Sequence, residues 1–132
     1  MWGEALRPER EREQEPVFSP LAPARFALGL ETIYEGYLLH YGRPRLFAPA
    51  DANTALLLGD YLYAHGLVRV AATGDLDAVA ALAELISACA ALRAEKRGGD
   101  AEEWLRAVAR LGGDAGGAAA ARAGRAHARR LG

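Results

Sequence analysis

The side chains from which a nucleophile, a general base or a metal site is usually assembled are sparse in this 132-residue chain. His40, His65 and His127 stand far from one another and from Cys89, so no zinc-ligand spacing occurs and no metal ligands are expected. Each histidine reads as a helix-surface or satisfied core residue. Ser19 and Ser87 lack the flanking glycines of a nucleophile elbow, and no Gly-rich loop stands between a strand and a helix to cradle phosphate. Cys89 lies in the apolar run from Leu85 to Leu92, where it behaves as a small buried hydrophobe. The catalytic set is therefore empty, and the chain is not expected to catalyse alone.

Charged groups in unusual places offer weaker leads. Asp60, between Gly59 and Tyr61, sits amid Leu56 to Leu62, and a carboxylate there has to be hydrogen-bonded or paired. It is either tied to a neighbouring helix or turned toward a ligand. Arg43 and Arg45, in a Gly/Pro-rich loop, suit phosphate oxygens; the plainer reading is a pair of solvated loop arginines. The basic stretch of Arg122, Arg125, Arg129 and Arg130 reads as a solvated helix face rather than an RNA or membrane contact.

The elements that position these residues are helices. Phe26, Leu30, Ile33, Tyr34, Tyr37 and Leu38 recur at steps of three and four after Pro23, and Gly42 and Pro44 end that helix near Tyr41. Asp51 caps a second helix from Asn53 to Ala72, apolar almost all round and hence expected at the centre of the fold. Asp75 opens a third, with a stripe of Val79, Leu82, Leu85, Ile86, Cys89 and Leu92. Asp100, with Glu103 three residues on, resembles a capping box ahead of Trp104, Leu105, Val108 and Leu111. Ala115 to Arg130 is helix-compatible but Gly-interrupted, and is expected to fray. No strand-like alternation is present, so the fold class is an all-α helical bundle.

Composition bounds the rest. A hydrophobic content of 52% supports one core, and 16 basic against 17 acidic residues give a net charge of -1, which argues against nucleic acid as a partner. Residues 1–22 mix charges and prolines and read as a flexible tail before a helical domain at 23–130, with Trp2, Val17 and Phe18 available to dock on a neighbour. There is no secretory leader and no run of about 18 apolar residues, so no membrane span and a cytoplasmic location are expected.

One stretch resembles a known family. Ala55 to Val70, ALLLGDYLYAHGLVRV, looks like the helix of trans-polyprenyl diphosphate synthases that carries a Gly-Asp-aromatic-Leu signature, and Gly42-Arg43-Pro44 resembles the Gly-x-Pro ahead of it. Glu31, Ile33, Leu38, Leu39 and His40 resemble the helix that in the family runs into the first aspartate-rich, magnesium-binding motif. The resemblance covers roughly residues 25–110, about the first half of a full-length synthase, and implies the N-terminal half of the isoprenoid synthase fold. In this chain Tyr41 and Gly42-Arg43-Pro44 follow His40 directly, so the metal-binding segment looks excised. A second register puts Glu31 and Glu35, with Thr32 between them, where the aspartates belong; two carboxylates one turn apart more often form a solvated face.

The resemblance implies a non-catalytic small subunit of a heteromeric synthase, stabilising a larger catalytic chain and helping to set product length. Magnesium would be held by the partner, and no cofactor by this chain alone. Arg43, Arg45 and Asp60 are the candidate substrate-binding residues, and Tyr34, Tyr37, Tyr61 and Tyr63 the candidate interface or tunnel wall. The alternative is a stand-alone homo-oligomeric binding or scaffold protein; an enzyme of unfamiliar mechanism is a third reading.

Overall fold

The computed structural model describes residues 5–13 and 15–131, so the expected docking of Trp2 falls outside the described residues. Five α-helices follow one another: α1 (Ala27–Tyr41), α2 (Ala52–Ala71), α3 (Leu76–Ala94), α4 (Asp100–Arg110) and α5 (Gly117–Leu131). No strand is present among the described residues, where the one ladder contact is an isolated antiparallel bridge between Leu6 and Phe47.

The caps follow the sequence at two of the helices. The Asp51 carboxylate accepts the Thr54 N–H at 2.7 Å and the Asp75 carboxylate accepts the Ala78 N–H at 3.0 Å, each satisfying an orphan donor of the first turn. The capping box at α4 is a correction. Gly99, in the left-handed region at φ 117°, precedes the helix without a side-chain cap, and Asp100 is instead the first helical residue, buried in the core. The final helix is also better formed than expected, running unbroken through Gly124.

The central helix is α1, not α2. Nine of its residues are buried, from Gly29 to Leu39, whereas α2 buries only Leu58, Gly59, Gly66 and Val70. The pair is antiparallel and held close by four glycines. An added Cβ on Gly36 would lie 2.9 Å from the Gly59 carbonyl oxygen, and one on Gly66 would lie 2.9 Å from the Gly29 carbonyl oxygen. Gly29 against Gly66 and Gly36 against Gly59 form two contact layers seven residues apart on each helix, so a methyl at any of these positions would push the backbones apart.

On its other sides α1 meets α4, α5 and the N-terminal arm around an aromatic core. Phe18 stacks on Trp104 at 5.3 Å between centroids, and Tyr34 stands edge-on to both rings. Where a flexible tail was expected, the arm lies against the domain. The Arg7 N–H donates to the Leu46 carbonyl and the Ala48 N–H to that of Ala5, and Val17 and Phe18 are core residues of this same chain. Burial of an aromatic ring such as Phe18 is worth about 1.5–3 kcal/mol, which offsets the ordering of one or two residues, so the arm also relies on Val17 and its backbone hydrogen bonds.

Candidate functional site

The loop between α1 and α2 is locked by charge. Arg45 is 2% exposed and reaches Glu31 Oε2 at 2.8 Å and Glu35 Oε1 at 3.4 Å. Glu35 also accepts backbone N–H bonds from Arg45, Leu46 and Phe47, while the Ser19 hydroxyl donates to Glu31 Oε1 at 2.6 Å. The guanidinium lies over the Tyr34 ring, 5.0 Å from its centroid. Arg45 is therefore a buried arginine rather than a solvated one, with its Nε and Nη1 engaged by two carboxylates and the Glu15 carbonyl. Glu31 and Glu35, read from the sequence as a solvated face or a displaced metal motif, hold an internal cation instead. Their partner lies in the loop after α1, beyond the reach of helical periodicity.

Arg43 is separated from this knot. Its N–H donates to the Arg130 carbonyl at 2.9 Å, which places it beside the last turn of α5, and its side chain is exposed. Asp60 belongs to neither group. The carboxylate expected amid leucines is 69% exposed and lies 3.2 Å from His40 Nε2 across the α1–α2 seam. It is tied to a neighbouring helix, at the surface rather than in the interior. The structure thus brings none of Arg43, Arg45 and Asp60 together around one concave site.

A second buried cluster escaped sequence reasoning. The Tyr37 hydroxyl donates to Asp100 Oδ2, and Arg93 Nη2 meets Asp100 Oδ1 at 2.8 Å. Burial first, and then the hydrogen bond to Asp100, push the Tyr37 phenol far above its ordinary pKa, so it stays protonated. Burial likewise raises the adjacent Cys89 thiol to about 12 and removes its nucleophilic form. His127 shares a 2.8 Å hydrogen bond with the Tyr34 hydroxyl, and burial lowers its pKa to about 4, keeping it neutral. These groups form a polar spine inside an aromatic core. No group of three or more metal-ligating side chains that could hold an ion is found among the described residues.

The four tyrosines part company. Tyr34 and Tyr37 are 1% exposed, so they fill the core rather than an interface, and Tyr63 packs against the same cluster. Tyr61 alone faces outward, 47% exposed, on a side of α2 that also carries Leu57 at 62% and Val68 at 66%. Thr54, Leu57, Tyr61, Ala64, Val68 and Ala71 recur at alternating steps of three and four, the spacing of a helix–helix seam. This outward stripe runs about 26 Å at 1.5 Å per residue. The sequence carries the signal in the all-round apolarity of α2, which implies a central helix and also more apolar surface than its few neighbours cover.

No helix among the described residues is long and apolar enough to cross a membrane. No family model, characterised protein or solved structure matches the chain. The outward face of α2 rests on a hairpin set by glycine contacts.

Proposed function

We propose that this chain is a non-catalytic helical subunit that works by laying the outward face of α2 against a helix of a larger partner. On the resemblance of Ala55 to Val70 and Gly42-Arg43-Pro44, that partner is a catalytic trans-polyprenyl diphosphate synthase chain, which this subunit stabilises while helping to set product length. The observation that carries the reading is the exposed stripe of Leu57, Tyr61, Ala64 and Val68. Large side chains about half exposed or more, repeating at seam spacing on a well-formed helix, mark an association surface. The test is co-expression with a synthase chain that bears both aspartate-rich motifs. The two chains co-purify and product length or rate shifts, and the Leu57→Glu/Val68→Glu variant loses both effects while its own unfolding temperature holds. A wild-type chain that neither binds the synthase nor alters its products removes the reading.

A second reading is favoured by the symmetry of the same stripe. In an antiparallel pair about a two-fold axis between Tyr61 and Ala64, Thr54 faces the Ala71 position of the other copy, Leu57 its Val68 position and Tyr61 its Ala64 position, each large group meeting a smaller one. An isologous contact requires this reciprocity. Solution mass measured at rising concentration decides between them. A dimer abolished by Leu57→Glu and unmoved by added synthase selects the homo-oligomer.

A further inference from the structure

Three arginines of α5 stand along one face, at steps of three and four, across from the N-terminal arm. Arg122, Arg125 and Arg129, with Val17, Ala123 and Ala126 beneath them, line a groove of about 420 Å3. Past Arg129 it continues into a space of about 440 Å3 beside Arg43 and Arg130. The walls are fixed. The Arg130 side chain is 11% exposed and ion-paired with Glu13 of the arm, and the Arg43 N–H is bonded to the Arg130 carbonyl. The guanidinium groups of Arg122, Arg125 and Arg129 have no hydrogen-bond or ion-pair partner among the described residues.

The balance of charge is local. In a chain of net charge -1, five arginines border this groove against Glu13 and Glu15. The negative end of the helix dipole accounts for Arg129 in the last turn, but Arg122 and Arg125 lie before it, where the dipole gives little return. Exposed guanidinium forks along one concave surface set up a positive field suited to phosphate oxygens. From Arg122 to Arg129 the three positions span about 10 Å of helix, more than one phosphate group reaches.

We propose that the groove between the arm and α5 binds a ligand bearing two or more phosphate groups, either free or presented by lipid headgroups. The apolar floor of Val17, Ala123 and Ala126 receives its non-polar part. This site does not depend on the α2 surface or on the synthase partner. Titration calorimetry of the full chain with tripolyphosphate, and co-sedimentation with phosphatidylglycerol vesicles against phosphatidylcholine ones, test it. Saturable binding weakens at least tenfold in Arg122→Gln/Arg125→Gln/Arg129→Gln and is unchanged in Arg106→Gln/Arg110→Gln on α4. Tripolyphosphate binding without vesicle binding identifies a free ligand, and selective vesicle binding competed by tripolyphosphate identifies headgroups. Absence of saturable binding to both probes, or an equal loss in the α4 variant, overturns the proposal.

Discussion

Arg45 is the residue on which the α1–α2 connection depends, and its energetics set a clear expectation. A guanidinium buried between two carboxylates is not itself strong evidence of stability, since desolvation offsets much of the attraction. Removing the arginine is different, because Glu35 stays buried with only backbone N–H donors to offset its charge. Arg45→Met is expected to cost about 3–5 kcal/mol in urea unfolding. At His127 the linkage is with pH. Its folded pKa of about 4 lies below the ordinary 6.5, so the unfolded chain takes up a proton first and the stability gained by keeping the ring neutral is full above pH 6.5. Between pH 6.5 and 4 stability falls by about 3 kcal/mol, at roughly 1.4 kcal/mol for each pH unit that separates the folded and unfolded pKa values. Asp100 favours the charged ring and Arg93 opposes it, both as smaller influences than burial. Chemical denaturation across that pH range, in the native chain and in His127→Phe, measures the slope, which flattens in the variant. The caps at Asp51 and Asp75 were legible from residue types alone. The Arg45 and Asp100 clusters were not, because each joins residues from separate elements and no periodicity links them.

At the scale of elements, α1 to α3 were legible because their stops and starts are written in local chemistry, in Asp51, Asp75, Gly42 and Pro44, whereas the capping box at α4 and the fraying of α5 were misread. The order of burial was not legible, since an apolar helix looks alike whether neighbours or an external partner cover it. The glycines decided which helix is central. Gly59 and Gly36 approach so closely that a side chain at either displaces its neighbour helix, and a Cβ on Gly59 would also meet the His40 ring. Gly59→Ala therefore loses about 1–3 kcal/mol from overpacking, outweighing the roughly 1 kcal/mol that alanine gains in helix propensity. Gly124→Ala in α5 meets nothing within 4 Å and is expected to gain about 0.5–1 kcal/mol. Thermal unfolding of the two variants, opposite in sign, separates close contact from intrinsic propensity.

For the whole molecule, the sequence established an all-helical chain and left open what its surfaces serve. The polar groups whose pKa values move furthest are interior, so a thiol reagent should leave Cys89 unmodified in the native chain and label it only on unfolding. At the surface, the α2 stripe leaves Leu57 and Val68 exposed and the α5 groove is bordered by arginines. One consequence follows from Phe18, whose ring is enclosed by side chains from α1, α4 and α5. Its resting place does not exist until the last of those helices has been synthesised and folded back. Docking of Phe18 is thus a contact of long sequence separation that cannot close before α5 has been made.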